Sequence, residues 1–335
     1  MKRNLLLTAV AVACAIPFAS IAADHNLYGQ LRYSFNAVDD PGGSGLDGLS
    51  GQDNVSLFGL KGKVGDKIKA FYHLQTGAKA DSPNSPANAF NQRFYFGGLE
   101  GAWGKVAYGR MTNAYKFAGF KLDPFYNLSH INAGGIFAAG GATYGLSPAT
   151  NGFTDNALQY VTPAFAGIKV NAGVYIDDSN QDEHGTGIGA IWSNKAWNVG
   201  IQYASNGQVA TLPGIAVDGN ALRLHGGYKG KMWSAALSYE QVDNAPGASP
   251  SDTTYAYLTG TWNANQKTRL VGSVGSVDDG NPSAEGTGFT LGAFYSIVTK
   301  TEIYALYSGA SLDAAGSQDP SVFAIGAIHK FGFGG

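Results

Sequence analysis

The stretch Ile168-Lys169-Val170-Asn171-Ala172-Gly173-Val174-Tyr175-Ile176 decides the fold, because its aliphatic side chains all fall on even positions. The same period of two recurs in Trp197-Asn198-Val199-Gly200-Ile201-Gln202-Tyr203 and in Phe289-Thr290-Leu291-Gly292-Ala293-Phe294-Tyr295, where Phe294 is the exception. Successive side chains of a strand point to opposite faces, so this period predicts strands with one apolar and one polar face. A soluble sandwich gives the same period, so alternation alone does not place the chain in a membrane.

The links between the predicted strands alternate between short and long. Turns such as Val64-Gly65-Asp66 and Ala102-Trp103-Gly104 interleave with longer polar links such as 36–53 and 206–218. Outer-membrane barrels have even strand counts, short turns at one end and longer loops at the other, whereas a sandwich has no reason to alternate so regularly. We therefore predict an all-β fold, a 16-stranded antiparallel transmembrane β-barrel. Its strands are expected at 26–35, 54–62, 67–76, 90–100, 105–110, 154–162, 167–177, 185–193, 196–205, 219–229, 231–242, 252–262, 267–277, 286–297, 300–309 and 321–331.

The first 23 residues have the order of a secretory signal peptide. Met1-Lys2-Arg3 is basic, Leu5 to Ala15 is apolar, and small residues precede Asp24. We predict cleavage after Ala23, with Ala22 as the alternative, which leaves a barrel domain of residues 24–335. Removing Lys2 and Arg3 from the 22 basic residues leaves 20 against 24 acidic ones, a formal charge of −4. Nothing in that balance indicates a nucleic-acid partner.

Tryptophan gives an independent test of the barrel. All five tryptophans lie within about three residues of a predicted short turn, and none lies in a long link. Indole prefers the boundary between membrane and water. We therefore expect an aromatic girdle at one rim, made of Trp103, Trp192, Trp197, Trp233 and Trp262.

The polar face of the predicted strands, formed by every second side chain, indicates a water-filled interior. It carries many charged side chains, and packing unpaired charges into a dry core would cost several kcal/mol each. A barrel of eight strands is filled by side chains, whereas about 16 to 18 strands leave room for water. Residues 111–153 form a much longer link than the others, rich in Gly, Ala and Phe. Such long links are usually functional, and we expect this long loop to fold into the barrel and narrow it.

Several motifs, in order, resemble one family. They are Leu27-Tyr28-Gly29-Gln30-Leu31, Phe58-Gly59-Leu60-Lys61-Gly62, Arg93 with Phe96-Gly97-Gly98-Leu99, Trp103-Gly104-Lys105-Val106, Tyr108-Gly109-Arg110, Asp155-Asn156-Ala157-Leu158-Gln159-Tyr160, Pro163-Ala164-Phe165-Ala166-Gly167 and Ile325-Gly326-Ala327-Ile328-His329-Lys330-Phe331. The chain resembles the general diffusion porins of Gram-negative bacteria, most closely the trimeric neisserial and beta-proteobacterial type. The resemblance implies a homotrimer in the outer membrane, an inward-folded third loop and passive diffusion of small hydrophilic solutes and ions. It also implies that Phe331 closes the barrel and is read by the barrel-assembly machinery.

The chain departs from the family at several positions. Residues 332–335 follow the expected terminal Phe331, so either Phe333 closes the barrel or the tail projects beyond it. Leu57 stands where the family often has an inward Arg, and Asn151 and Phe153 stand where a second Arg is common. The basic side of the constriction is therefore expected to be thinned. The resemblance carries over Arg93 alone, and parity adds Arg32, Lys61 and Lys69 as supporting cations.

The charges of the long loop predict the selectivity. Asp123 is its one carboxylate, against the cations Lys116 and Lys121 and the titratable His130. Rings of one charge sign favour the opposite ion, so we expect a mild preference for anions. Acidic clusters elsewhere are expected to be solvated loop charge near lipopolysaccharide, and divalent-cation binding at the outer mouth is the less favoured alternative. These clusters are Asp39-Asp40, Asp177-Asp178 with Asp182-Glu183, and Asp278-Asp279. Outer-membrane lipid is expected around the wall.

Two other functions remain open at this point. One is a substrate-specific channel with an aromatic or charged ladder, and the other is a structural or adhesive barrel with a closed lumen. No Gly-x-Ser-x-Gly, His-Glu-x-x-His or P-loop pattern occurs, so neither an enzyme nor a cofactor is expected.

Overall fold

The computed structural model describes residues 23–40, 47–79, 81, 90–129, 143–178, 184–207, 211–243, 252–278, 285–313 and 319–333. These residues form one antiparallel sheet of seventeen strands. The strands are β1 Ala23–Asp39, β2 Gly48–Asp53, β3 Leu57–Gly65, β4 Lys69–Gly77, β5 Gln92–Gly101, β6 Gly104–Met111, β7 Thr154–Val161, β8 Ile168–Tyr175, β9 Gly185–Ser193, β10 Trp197–Ser205, β11 Asn220–Lys229, β12 Trp233–Asp243, β13 Thr253–Asn263, β14 Thr268–Asp278, β15 Gly286–Val298, β16 Thr301–Leu312 and β17 Ser321–Phe333.

The sheet closes on itself, because β1 pairs with β17 on one side and with β2 and β3 on the other. Since β2 and β3 follow one another along the same side of β1, they count as one stave, and the described wall has sixteen staves. The closed 16-stranded antiparallel barrel confirms the predicted fold class. Closure matters physically because an open sheet edge would leave unpaired backbone groups in lipid.

The second stave differs from the prediction. The prediction assigned 36–53 to a link, whereas the structure has strand β2 within that range and a break in the strand after it. The break spans Asn54 to Ser56, and Val55 takes a positive φ of 72° there. The backbone N–H of Asn54 still donates to the carbonyl of Arg32 at 2.8 Å, while its side-chain amide turns into the barrel. Several other strands are longer than predicted; β1, for example, begins at Ala23, and β17 ends at Phe333.

Apolar side chains alternate outward along the strands. On β10, Val199, Ile201 and Tyr203 are exposed, whereas Gln202, which lies between Ile201 and Tyr203, is buried. The same holds on β17, where Phe323 and Ile325 face outward. This arrangement places apolar groups on the outer face and most polar groups inside, as a lipid-facing wall requires. None of the helices in the described ranges is long and apolar enough to cross a membrane.

The long loop begins with helix α1, Ala114–Gly119, and ends with a single 3-10 turn, Pro148–Thr150. Asn113 caps α1, because its side-chain oxygen accepts from the backbone N–H of Lys116 at 2.8 Å. The helix packs against β8, β9 and β10 and against the 3-10 turn. Both described parts of the loop, 112–129 and 143–153, therefore contact the inner surface of the wall.

Candidate functional site

A buried ion pair on β11 and β12 holds both described parts of the long loop. Arg223 and Glu240 are fully buried, with 2.7 Å between Nη2 and Oε2. Glu240 accepts from the hydroxyl of Tyr115 at 2.8 Å and from the backbone N–H and the hydroxyl of Ser147. Arg223 donates to the carbonyl of Tyr115 at 2.6 Å and to the hydroxyl of Thr150. This pair therefore joins the start and the end of the loop to one patch of the wall.

Asp123 forms a second anchor. Its carboxylate accepts from the backbone N–H groups of Phe125 and Thr143, at 2.9 and 2.8 Å, and from the hydroxyls of Thr143 and Tyr257. Burial raises the pKa of Asp123, although these hydrogen bonds act in the opposite direction. The expectation that Asp123 lines the constriction is therefore corrected, because the carboxylate is only 5% exposed and points into the wall.

Phe294, the exception to the alternation, belongs to a third anchor. It points inward on β15, is 1% exposed, and its ring centroid lies 6.2 Å from that of Phe125. Gly292 leaves room for the Phe125 ring, since a Cβ there would lie 2.6 Å from its Cε1. The amide of Asn54, at 3.1 Å, and the hydroxyl of Tyr304 both donate to the carbonyl of Leu128. Phe294, an apolar residue at a position where the alternation expects a polar one, thus marks a point where the loop packs on the wall.

A bulge directs Arg93 into the lumen. Tyr95 on the same strand is 41% exposed on the outer face, so strict alternation would turn Arg93 outward as well. The register between β4 and β5 shifts between Leu74 and Thr76, opposite this position. Arg93 instead donates from Nε to the side-chain oxygen of Gln75 at 2.8 Å, on the inner face.

Arg93 joins two other cations around one aromatic ring. Its Cζ lies 4.8 Å from the centroid of Phe153, the Cζ of Arg110 lies at 5.4 Å and the Nζ of Lys116 at 4.3 Å. Arg110 pairs with Asp155 at 2.6 Å, whereas the ion pairs among the described residues include neither Arg93 nor Lys116. We call Arg93, Arg110, Lys116 and Phe153 the cation cluster. It brings three cations together at one point of the inner wall.

The sequence reasoning missed half of this cluster. Arg110 stood in a quoted motif without being chosen, and Phe153 was noted only as the replacement of a family Arg. Gly109, at a positive φ of 130°, and a register shift between Gly109 and Met111 mark a bulge beside Arg110. A glycine interrupting the alternation is the signal that could have shown that Arg110 leaves the outer face.

The other predicted cations of the wall lie apart from Arg93 to different degrees. Arg32 is nearest the loop, since its Nη2 donates to the carbonyl of Tyr126 at 3.1 Å. Lys61 lies opposite His73 of β4, which in turn lies opposite Phe96 of β5, so Lys61 is two strands away from Arg93 and about 10 Å further down the wall. Lys69 pairs with Glu100, seven residues away or about 23 Å, near the short turns. The structure therefore does not bring Lys69 into the constriction.

The predicted cations of the long loop also differ among themselves. Lys116 is buried and donates to the carbonyl of Gly152, and burial together with the charges of Arg93 and Arg110 lowers its pKa to about 7. Lys121 is exposed, with its Nζ 3.6 Å from the centroid of Phe117. His130 lies outside the described residues. Among these, Lys116 alone is in the cation cluster.

A cavity of about 210 Å³ lies beside the cluster, lined by Arg93 and Lys116 and also by Asp53 and Asp81. Both carboxylates accept hydrogen bonds from backbone N–H groups, Asp53 from Ser56 at 2.6 Å and Asp81 from Asp53 at 2.8 Å. Two acids thus line the same cavity as the cations, but both accept hydrogen bonds from backbone donors.

The remaining predicted site residues lie on or near the outer face. Trp233 and Trp262 stack at 5.7 Å between centroids, Trp197 lies 4.8 Å from Tyr228, and all are near short turns. Trp103 and Trp192 occupy the same end of the wall, at 42% and 39% exposure. Phe331 also points outward, and β17 continues two residues further, where Phe333 pairs with Leu27 of β1.

Comparison with known proteins is consistent with this geometry. An outer membrane porin protein of Bordetella pertussis is 26% identical over 165 residues, which are 47% of this chain and 40% of that protein. An anion-selective porin from Comamonas acidovorans superimposes with a TM-score of 0.72, at 18% identity, over 92% of this chain and all of that one. The trimer form of OmpT, an outer membrane protein of Vibrio cholerae, gives 0.67 at 18% identity over 93% of this chain and all of that one.

The chain spans less than half the length of the Bordetella relative, whereas the family match is longer. The Gram-negative porin family matches residues 8–315, which is most of the sequence. A closed sixteen-stave barrel with an apolar outer face, a loop anchored inside it and a cation cluster beside that loop agree with this match. The chain therefore belongs to the Gram-negative porin family, and it is an outer-membrane porin.

Proposed function

We propose that this porin is a passive channel for small hydrophilic solutes and ions, with a mild preference for anions. The observation that carries the preference is the cation cluster, in which half-buried Arg93 and buried Lys116 line a cavity beside the long loop and take part in no ion pair among the described residues. The lone acid of the long loop, Asp123, is withdrawn into the wall. The loop therefore contributes cations and no exposed acid to the narrow part of the lumen.

The likeness to an anion-selective porin from Comamonas acidovorans supports the same preference, since that barrel covers 92% of this chain. Two acids are expected to weaken the anion preference, because Asp53 and Asp81 line the cavity beside the cluster. The net positive charge at the narrowing is therefore small. A mild preference follows, not an exclusive one.

Reversal potentials test this proposal directly. The purified full chain is inserted into planar bilayers under a KCl gradient, and the potential at zero current is measured. We expect stepwise conductance and a sign that indicates faster chloride than potassium. A potential that indicates potassium preference would reject the selectivity while leaving the channel. The absence of conductance steps would reject the channel and favour a structural barrel with a closed lumen.

We also propose that the porin is a homotrimer, as the solved form of Vibrio OmpT is described. The outer face of β12 to β16 carries exposed apolar groups such as Leu237, Leu258 and Leu291, which need lipid or a neighbouring barrel around them. Comparison of the mass of unheated and heated protein in detergent tests this assembly. An unheated mass equal to that of one chain would contradict it.

The export and membrane assignments remain proposals of the same kind. Residues 1–23 are proposed to be removed on export, which N-terminal sequencing of the membrane-inserted protein would check. The five tryptophans are proposed to form the girdle at the short-turn rim. Phe331 is proposed as the part of the closing strand that the barrel-assembly machinery reads, and the outer loops are proposed to lie among lipopolysaccharide.

A further inference from the structure

A row of four phenylalanine rings runs along the inner wall below the cation cluster. Phe71 on β4 and Phe96 on β5 have centroids 6.4 Å apart, Phe96 and Phe94 are 5.7 Å apart, and Phe94 and Phe153 are 5.1 Å apart. All four are half-buried, so part of each ring stays accessible. We call these four rings the aromatic row. It leads from the short-turn end of the lumen to the cluster.

The row has cations at both ends. At the lower end, the Nζ of Lys105 lies 4.0 Å from the centroid of Phe71 and 5.9 Å from that of Phe96. At the upper end, Arg93 and Lys116 lie over Phe153. Among the ion pairs of the described residues, none includes Lys105. Glu100 stands opposite Lys105 in the register of β5 and β6, but its ion pair is with Lys63. Each end therefore combines a partly accessible ring with a cation that forms no ion pair among the described residues.

This combination recognises one kind of solute. A flat ring gains most beside another ring, in an offset or edge-to-face arrangement with centroids about 4.5–7 Å apart. A carboxylate on that ring can accept charge-assisted hydrogen bonds from Lys or from the planar guanidinium of Arg. A small inorganic anion would use the cations alone and leave the rings without a role. The His73 ring already stacks on Phe94 at 4.7 Å between centroids and meets Phe96 edge to face at 5.3 Å, so a solute ring would use the remaining accessible part of each Phe ring.

We propose that the aromatic row is a binding track for compact aromatic carboxylates of the benzoate type. The solute ring lies against Phe96 or Phe94, and its carboxylate pairs with Lys105 at the lower station and with Arg93 at the upper one. Two weak stations in series allow a solute to enter and still leave, as conduction requires. The proposal rests on the channel function proposed above and names a solute class for it.

The first experiment uses the unmodified porin in planar bilayers. Sodium benzoate, cyclohexanecarboxylate and acetate are added separately, and the concentration that halves the chloride current is measured for each. Cyclohexanecarboxylate matches benzoate in charge and approximate size but lacks the flat ring. We expect benzoate to act at a concentration about fivefold lower than either of the others. Equal blocking by all three would overturn the aromatic track and leave the anion channel standing.

The second experiment removes the rings but keeps apolar side chains. In the variant Phe94→Leu with Phe96→Leu, the ratio between the blocking concentrations of acetate and benzoate should fall from about fivefold towards one. The matched control is Phe323→Leu, which alters an outward ring that is 46% exposed and should keep the unmodified ratio. An unchanged ratio in the double variant would reject the track. If that variant does not fold, the comparison of the three anions on the unmodified porin still decides.

The two proposals fail in different ways. Without any conductance step, the channel function itself is wrong. With conductance steps and equal blocking by the three carboxylates, the channel holds and the aromatic track is wrong.

Discussion

Arg93 and Arg223 both point inward from the barrel wall, but they differ in burial and in their partners. Arg223 on β11 is fully buried, pairs with Glu240 at 2.7 Å and holds the long loop. Arg93 on β5 bonds Gln75 and lies over Phe153 without an ion-pair partner among the described residues. The charges on one wall of the barrel thus hold the long loop in place, while those on the opposite wall lie beside the proposed solute path.

The difference teaches that inward polarity is not the same as pore lining. The described parts of the loop pack on the wall between β11 and β17, where Phe294 and Tyr304 are buried in one cluster with Phe125 and Leu128 of the loop. The wall from β3 to β6 keeps half-buried polar groups such as Arg93, which lines a cavity beside the loop, and we call it the wet wall. Substitutions on the anchoring wall should therefore change stability, and substitutions on the wet wall should change selectivity.

The largest effect is expected from Glu240→Ala. It leaves Arg223 buried without its counter-charge and removes the acceptor for Tyr115 and Ser147, so the free energy of unfolding should fall by about 3 to 5 kcal/mol. Denaturant unfolding of the refolded barrel measures this. In contrast, Glu100→Ala breaks the half-exposed pair with Lys63 at 3.4 Å and should cost at most about 1 kcal/mol. Equal losses in the two variants would contradict the anchoring role.

A rescue sharpens this comparison. Replacing both partners, Arg223→Met with Glu240→Leu, should recover much of the stability lost in the single variant, because no buried charge remains unpaired. The loop should stay less firmly held, since the bonds to Tyr115 and Thr150 are gone. Single-channel recordings should show noisier current in the double variant than in the unmodified porin.

The next effect is steric. In Gly292→Ala the new methyl group meets the fully buried ring of Phe125 at 2.6 Å, so we expect a loss of about 1 to 3 kcal/mol in the free energy of unfolding. Gly260→Ala is the matched control, because its Cβ would enter open space on the outer face of β13. If the two variants are equally stable, the ring does not rest on Gly292.

Arg93→Gln tests the wet wall. A unit charge at about 5 Å in water changes the local anion concentration roughly fourfold, and salt reduces this. We expect the ratio of chloride to potassium permeability to fall by about two- to fourfold, measured as the reversal potential. Lys69→Gln carries the same change of charge about 23 Å further down the wall and should have little effect, because that distance exceeds the screening length of about 8–10 Å. A larger shift from Lys69 would contradict the placement of the constriction.

The smallest effect is the pH dependence of Lys116. Its lowered pKa of about 7 means that it is charged below that pH and neutral above it. The anion preference should therefore decline by up to about twofold as the pH rises from 6 to 8.5. Lys116→Gln should remove this step while keeping the remaining preference from Arg93. Identical reversal potentials of the unmodified porin at the two pH values would exclude a titrating Lys116.

The strands were largely predictable because their signal is local. Each predicted strand overlaps an observed one, and the predicted link 111–153 begins at the last residue of β6 and ends just before the first residue of β7. The break at Asn54 was not predictable from alternation, since it exists to turn an amide towards Leu128, 74 positions away in the sequence. Phe294 looked like a fault in the pattern, and only the loop ring above it shows why it points inward.

The sequence by itself determined the wall: a period of two in side-chain polarity, alternating link lengths, and tryptophans beside the short turns. These features follow from the geometry of one strand and its nearest neighbours, so they are readable without coordinates. Only the tertiary structure decided which inward charges meet water. That choice depends on where the long loop packs, which draws Asp123 and Arg223 out of the lumen and leaves Arg93 and Lys116 at its edge.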